Sequence, residues 1–193
     1  MCGRYEFTLE DSEELRRVAE LIEARYGPGG WQPGEIRPTA TAPVLRTGEK
    51  KAQAELMRWG YALPHTLVIN ARAESVREKP LFRDAVAARR CVVPTAGFYE
   101  WDGDGRKYRF RLPGEGALYL AGLYEVREGV PCYCILTTAA NPSMAPIHDR
   151  MPLVLTRRDL RPWLERPQAA AALLEREPPA LEARPMDPQL RLW

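Results

Sequence analysis

Apolar residues recur at helical spacing only near the start of the chain. Leu15, Val18, Leu21, Ile22 and Tyr26 form one stripe, which predicts an amphipathic helix over about 11–26, closed by Gly27-Pro28. Ahead of it, residues 3–8 fit a short strand. Residues 27–45 are rich in Gly and Pro and are expected to form a surface loop. Beyond them the period shortens to two. Strands are predicted over 56–61 and 67–70, with a turn at Pro64, and again over 91–93 and 98–101. A short helix fits 80–89, after Lys79-Pro80. The run Asp102-Gly103-Asp104-Gly105 signals a hairpin. Residues 107–112 alternate basic and apolar side chains, giving a half-buried strand with a positive outer face. Residues 118–124 and 132–137 add two buried strands, and the chain from 157 on is helical in pattern and then rich in proline. Many short strands with few helices predict an α+β fold: one domain over 1–193 with a curved, mainly antiparallel, barrel-like β-sheet and a few flanking helices.

A chain of 193 residues can bury a substantial core as one domain. With a net charge of only +2, affinity for a polyanion has to come from a local patch. Four cysteines at irregular spacing (2, 91, 132 and 134) do not make a disulfide framework. The charged start, with Arg4, Glu6, Glu10 and Asp11, is not a signal peptide. The longest uncharged run, 129–148, is interrupted by Pro131, Pro142 and Pro146, so no membrane span and no membrane partner are expected. The reading is of a cytoplasmic protein in a reduced compartment.

Five stretches carry chemistry. Cys132 and Cys134 share one face of a strand without a second pair at zinc-like spacing, so buried thiols are expected and no metal. On a strand, Asn70, Arg72 and Glu74 share a face, which is either a solvated edge or the wall of a site with Arg72 as a phosphate clamp. Glu100 lies between Tyr99 and Trp101 in an apolar strand. Desolvation there would raise its pKa and suit it to general acid–base work, the alternative being a rim carboxylate paired with an Arg. His148 stands beside Asp149 and Arg150 in a loop bounded by prolines, as a proton relay or a capping group. Finally, Cys2 follows the initiator Met, and it is small enough for that Met to be removed. Removal would leave an α-amine and a thiol on adjacent carbons, with reference pKa values of about 8 and about 8.5. A 1,2-aminothiol condenses with an aldehyde to a five-membered thiazolidine, a reaction closed to internal cysteines.

Taken in order, Met1-Cys2-Gly3-Arg4-Tyr5, Trp59-Gly60, Asn70-Ala71-Arg72-Ala73-Glu74, Lys79-Pro80 with Phe82-Arg83, Arg90-Cys91, Glu100-Trp101, Ala121-Gly122-Leu123 and Ile147-His148-Asp149-Arg150-Met151-Pro152 resemble the SRAP family, the SOS response-associated peptidase or abasic-site processing proteins. The resemblance is strongest over 1–165, and the tail over 166–193 diverges. It implies covalent capture of abasic sites in single-stranded DNA through a Cys2 thiazolidine after Met1 removal, and hence DNA-repair and lyase-like Schiff-base chemistry alongside thiol-dependent autoproteolysis. It implies Cys2 as nucleophile, Asn70 as the group that positions it, Glu100 as proton relay and His148 as an aid to sugar ring opening. It further implies DNA contacts from Gly3, Arg4, Pro38, Trp59, Arg72 and Arg150, with Trp59 stacking on or wedging between bases. No cofactor is expected, the chain is expected to be a monomer, and it would join the nucleoid when bound to damaged DNA. Where the family commonly has Asn-x-Ala-Pro-Thr-Gln, this chain reads Glu35-Ile36-Arg37-Pro38-Thr39-Ala40. Two other readings start from the same residues. One is an N-terminal-nucleophile glutamine amidotransferase, disfavoured because the chain has no Asn-Gly dipeptide. The other is a non-covalent single-stranded DNA binder.

Overall fold

The computed structural model describes residues 2–10, 12–48 and 52–186; Met1, Asp11 and the end of the tail lie outside the described residues. In chain order the strands are β1 (Tyr5–Phe7), β2 (Gly34–Ile36), β3 (Thr41–Thr47), β4 (Ala52–Trp59), β5 (Tyr61–Leu63), β6 (Thr66–Val68), β7 (Asn70–Arg72), β8 (Arg90–Thr95), β9 (Gly97–Trp101), β10 (Lys107–Arg111), β11 (Leu118–Arg127), β12 (Val130–Ala139), β13 (Arg150–Pro152), β14 (Val154–Leu155) and β15 (Glu182–Pro185). The helices are α1 (Glu13–Tyr26), α2 (Arg83–Ala88), α3 (Leu160–Glu165) and α4 (Pro167–Glu175).

Strands β12, β4, β3, β8 and β11 pair in that order, and β11 pairs back onto β12, so the five close into a barrel. Only the β12–β4 seam of this ring is parallel. Closure leaves these strands no free edge. It also explains their composition, since Val92, Val93, Leu120, Leu123, Ile135 and Leu136 are all fully buried. The expected α+β class with a curved, mostly antiparallel, barrel-like sheet is what is found. A second antiparallel sheet runs β15-β10-β9-β1-β2. The chain passes from barrel to second sheet at one residue, Ala96, between β8 and β9. The corner is tied by Thr95, whose hydroxyl donates to the Glu6 carbonyl at 2.5 Å. Gly97 follows because a side chain there would meet the Phe110 carbonyl at 2.8 Å.

Two expectations are corrected. The stretch 27–45 is not all loop: Thr41–Thr47 is a barrel strand, with Ala42, Pro43 and Val44 buried. Its Pro43 gave it the look of a loop. The helix stripe is also rotated. Ser12 caps α1 by accepting from the Leu15 amide, and the buried residues are Leu15, Val18, Ala19 and Ile22, whereas Leu21 and Tyr26 are 49% and 42% exposed. In addition, β7 ends at Arg72, so Glu74 stands in the following turn rather than on the strand.

The C-terminal elements brace the barrel through Arg90. Its guanidinium donates to the carbonyls of Val86 and Ala87 at the end of α2, and to those of Trp163 and Leu164 in α3. A buried cation thus satisfies helix-end carbonyls that would otherwise lack partners. Asn141 does similar work further on. Its amide donates to the carbonyls of Pro178 and Pro179, pinning the tail beside the loop that precedes β13.

At the barrel centre β11 crosses β8 and β12 very closely. A Cβ at Gly122 would sit 2.9 Å from Cys91 Sγ and 3.0 Å from the Cys134 carbonyl. Gly122→Ala is therefore expected to lower stability by about 1–3 kcal/mol through overpacking, read as a lower midpoint in urea denaturation.

Candidate functional site

The first residues of the chain extend β1 along β9. Tyr5 pairs with Phe98, Glu6 with Gly97, and the Tyr99 amide donates to the Arg4 carbonyl at 2.9 Å. Because the pairing is antiparallel, it carries Gly3 and Cys2 toward the far end of β9, where Glu100 lies. Side chains alternate along β9, so Phe98 and Glu100 face inward while Tyr99 and Trp101 face out. Glu100 is accordingly buried between the sheet and the barrel.

The barrel holds the same segment from its other side. Asn70 opens β7, which pairs in parallel with β12 at Ile135, and its Nδ2 donates to the Cys2 carbonyl at 2.9 Å. Asn70 Oδ1 is buried and has no hydrogen-bond partner among the described residues. The residue before it is fixed too, since the Ile69 carbonyl accepts from the Trp59 indole at 3.0 Å and from the Ile135 amide. Beneath lies an aromatic floor. The Tyr5 and Tyr133 hydroxyls are 2.5 Å apart, and the Trp59 ring stands 5.2 Å from Tyr5 and 6.3 Å from Tyr133, stacked on the latter.

Cys2 is fully buried in this setting. Burial first, and the neighbouring Glu100 carboxylate second, push its thiol well above the ordinary range. The site therefore holds a thiol and not a standing thiolate. Burial also raises the Glu100 carboxyl above its ordinary value, with Asp149 acting in the same direction and the positive charge of His148 against it. His148 is thereby placed within electrostatic reach of Glu100. Its Nδ1 accepts from the Arg150 amide at 2.9 Å, which fits the neutral ring with its proton on Nε2. The same nitrogen lies 3.1 Å from the Arg150 carbonyl and 3.0 Å from Asp149 Oδ1, acceptors for a protonated Nδ1. The ring has partners in both charge states.

Cys2, Asn70, Glu100 and His148 are thus brought together from four separate segments. Of the expected DNA contacts, Arg4 is half-buried beside Cys2 and Arg72 is exposed, without an ion pair among the described residues. Gly3 and Pro38 are half-buried. Pro38 precedes Thr39, a threonine held at φ 75° with its amide donating to the Trp59 carbonyl at 2.8 Å. A β-branched residue rarely adopts that conformation.

Two expected contacts are corrected. Trp59 has no exposed surface: its ring is packed between Tyr5 and Tyr133 and its N–H is bonded, so it supports the floor of the site and cannot stack on a base. Arg150 is occupied as well. It pairs with Glu74 through both guanidinium nitrogens, at 2.6 and 2.9 Å, and donates to the Thr137 carbonyl at 2.8 Å. Its charge is neutralised within the protein, and it anchors the end of the His148 loop against β12. Sequence reasoning missed Tyr5 and Tyr133 as the floor and Glu74 as the partner of Arg150. The spacing of the Tyr pair, 128 residues apart, gives no local signal. Cys132 and Cys134 are both buried, and among the described residues no group of His, Cys, Asp or Glu is arranged to hold a metal. No helix among the described residues is long and apolar enough to cross a membrane.

Comparison with known proteins bears on the whole chain. It is 33% identical over 181 residues to a Bacillus subtilis protein named abasic site processing protein YoaM, covering 85% of this chain and 79% of that protein. It is 27% identical over 177 residues to abasic site processing protein YedK of Escherichia coli, covering 85% and 79% respectively. A crystal structure of a Bacteroides thetaiotaomicron protein shares the fold, with a TM-score of 0.76 at 22% identity, covering 96% of this chain and 92% of that one. The family model described as SOS response associated peptidase (SRAP) matches residues 1–191, and the chain belongs to that family.

Proposed function

We propose that this protein processes abasic sites in single-stranded DNA by capturing them covalently on Cys2, once Met1 has been removed. The observation that carries the reading is the Asn70–Cys2 hydrogen bond at 2.9 Å, made where the raised carboxyl of Glu100 lies against Cys2. That bond fixes the backbone of the reacting residue and leaves its nitrogen and sulfur to the chemistry. The relatives' names agree with the target.

While Met1 is attached, the Cys2 nitrogen is an amide and not a nucleophile. Once it is an amine, it attacks the C1′ aldehyde carbon of the ring-opened deoxyribose and gives a carbinolamine. Glu100 in its acid form donates a proton to the departing hydroxyl, which leaves as water, and a protonated imine and the Glu100 carboxylate remain. The sulfur then adds to the carbon of the protonated imine, its electron pair becomes the ring nitrogen's lone pair, and the thiol proton passes to the Glu100 carboxylate, which restores the acid. The thiazolidine contains all the atoms of the aminothiol and the aldehyde less one water. His148 acts earlier, passing a proton to the sugar ring oxygen as the C1′–O4′ bond opens and the C1′ hydroxyl gives its own proton to water; the Arg150 carbonyl and Asp149 hold the proton on Nδ1 before and after. Arg4 and Arg72 take the flanking phosphates, and Asn70 Oδ1, buried with no partner among the described residues, accepts from the Cys2 amine. A raised thiol suits this order of events. A hydrolytic cysteine needs a thiolate made beforehand by positive charge, whereas here sulfur attacks second and can give up its proton during the step.

The parent protein incubated with an abasic single-stranded oligonucleotide is expected to give an adduct that survives boiling in detergent, and Cys2→Ala to give none. Intact mass should read protein lacking Met1 plus oligonucleotide less one water. A Cys2-independent or salt-reversible complex would overturn the reading.

Glu100→Gln separates catalysis from stability. Adduct formation is expected to slow roughly 10²-fold or more, since Gln cannot donate the proton. In the parent, the rate attributable to Glu100 should fall as pH rises through its raised pKa, and the variant should lack that limb. The folded-state carboxyl titrates above its ordinary value of 4.5, so the unfolded chain binds fewer protons across that interval and the parent loses stability as pH rises through it. The variant should therefore be the more stable protein at neutral pH, with the advantage fading below about pH 4.5; thermal unfolding across pH measures this.

Asn70→Ala removes the donor to the Cys2 carbonyl from a residue at the start of a short strand. It should slow adduct formation at least tenfold while costing about 1 kcal/mol of stability. Single-turnover kinetics beside urea denaturation would distinguish that split from simple unfolding.

A further inference from the structure

Outward-facing residues at the same end of the second sheet form a cluster of which the capture site uses only Arg4. Arg4 precedes β1, Arg37 follows β2, Trp101 ends β9 and Lys107 opens β10. The registers Tyr5↔Ile36 and Trp101↔Lys107 set them side by side. At their centre is Glu35. Its Oε1 accepts from Arg37 Nε at 2.9 Å and lies 3.5 Å from Arg4 Nε, and its Oε2 accepts from Lys107 Nζ at 3.0 Å. Arg4 and Lys107 also stand over the Trp101 ring, 5.1 and 5.6 Å from its centroid, and Lys107 over Tyr99 at 3.9 Å. The rings hold the two cations in place without neutralising them.

Three cations around one carboxylate leave two positive charges in excess. A carboxylate held by several cationic donors is the arrangement a phosphate group would take there. Partial burial alone would raise the Glu35 carboxyl, but hydrogen bonds from Lys107 and Arg37 outweigh it and hold it below the usual carboxylate range. It is charged throughout the physiological range. The cluster is also accessible: the side chains of Arg4, Lys107 and Glu35 are 30, 27 and 29% exposed and that of Arg37 is 65%. It lies on the outer rim of the strands whose inner face carries Glu100, so a strand leaving Cys2 past Arg4 meets it next.

We propose that Arg4, Arg37 and Lys107 form a phosphate-binding patch for the strand beyond the captured sugar, and that Glu35 is its built-in competitor. The carboxylate occupies the place of a backbone phosphate and must be displaced when DNA binds, which weakens the hold on intact strands. The inference rests on the reading of the Cys2 site as one that takes a single DNA strand. It adds a residue that sets selectivity: an intact strand has to displace Glu35 with nothing but phosphate contacts, whereas an abasic strand is held by its covalent bond.

The test uses undamaged single-stranded oligonucleotide, so that patch and capture are read separately. By fluorescence anisotropy, Glu35→Gln is expected to bind roughly two- to fivefold tighter than the parent at low salt, the range of an exposed ion pair. Its plot of log affinity against log salt should steepen by about 0.7, because a cation no longer paired within the protein now releases a counterion on binding. Arg37→Gln and Lys107→Gln should bind more weakly, and Lys107→Gln added to Glu35→Gln should return affinity toward the parent. An affinity and salt slope unchanged in Glu35→Gln would overturn the proposal. So would a gain shared equally by a polyglutamate peptide, which would make the patch a site for acidic protein. Abasic oligonucleotide supplies the second arm. Loss of the Cys2-dependent adduct in the parent with the Glu35→Gln effect intact would sink the capture reading and leave the patch. The adduct with no Glu35→Gln effect would do the reverse.

Discussion

The structure depends on the pairing of the first few residues with β9. A chain terminus is ordinarily the least constrained part of a protein. Here it is a strand, bonded on one side to β2 and on the other to β9, and seated on the Tyr5–Tyr133–Trp59 floor. The site follows from that seating. Antiparallel register brings Cys2 toward Glu100, and the barrel reaches across through Asn70 to take the Cys2 carbonyl. Neither the sheet nor the barrel makes the site alone, and the one-residue passage at Ala96 between β8 and β9 keeps the two aligned. On the proposed reading the reacting group is a 1,2-aminothiol, which can exist only at a terminus, and ordering that terminus is then as necessary as ordering a core element.

Burial sets the chemistry of the assembled groups. Low dielectric favours neutral forms, so it raises the thiol of Cys2 and the carboxyl of Glu100 together. Each also opposes ionisation of the other, because both would become anions. On the proposed reading, condensation with an aldehyde uses both groups: Glu100 gives one proton to departing water and takes one from sulfur. A thiolate ready for hydrolysis would need cations beside it instead. The nearby arginines do not serve. Arg150 is held by Glu74, and Arg4 and Lys107 face outward around Glu35. The positive charge of Arg4 and Lys107 faces outward around Glu35 and not toward the sulfur.

How much of this was legible in the sequence depends on the range of the interaction. Hairpin and strand patterns are local, and the β9–β10 hairpin at Asp102–Gly105, with the alternation that follows it, stands as read. The apolar strand around Glu100 was legible in the same way, but the sequence left it either desolvated or at the rim, and its burial between sheet and barrel decides for the first. What failed was decided at long range. Pro43 marked 41–47 as loop, yet barrel closure makes it a strand, because β4 and β8 supply partners on either side. Trp59 looked like a stacking surface until its ring was placed between two tyrosines from distant strands. Arg150 was expected to contact DNA from the family resemblance; Glu74, 76 residues earlier, neutralises it. Side-chain type was read correctly in each case, and it was the partner that was invisible.

The same reasoning bears on the tail, where the family resemblance is weakest in sequence. Its position is set by Asn141, whose amide donates to the Pro178 and Pro179 carbonyls and whose Oδ1 accepts from the amide and hydroxyl of Ser143. Ser143 in turn accepts from the Leu181 amide. These bonds lie at the base of the loop that carries His148, and the next turn is held by the Met144 carbonyl accepting from the His148 amide at 3.1 Å. Beyond the clamp the chain becomes β15 and covers the open edge of β10, on the sheet that carries β1 and Glu100. The tail therefore touches both halves of the site without contributing a reacting group. The loop is braced at its base by the Pro178 and Pro179 carbonyls and closed at its end by the Arg150–Glu74 pair, which holds the His148 imidazole in one orientation. The tail's share of that bracing is made by backbone carbonyls, those of Pro178 and Pro179.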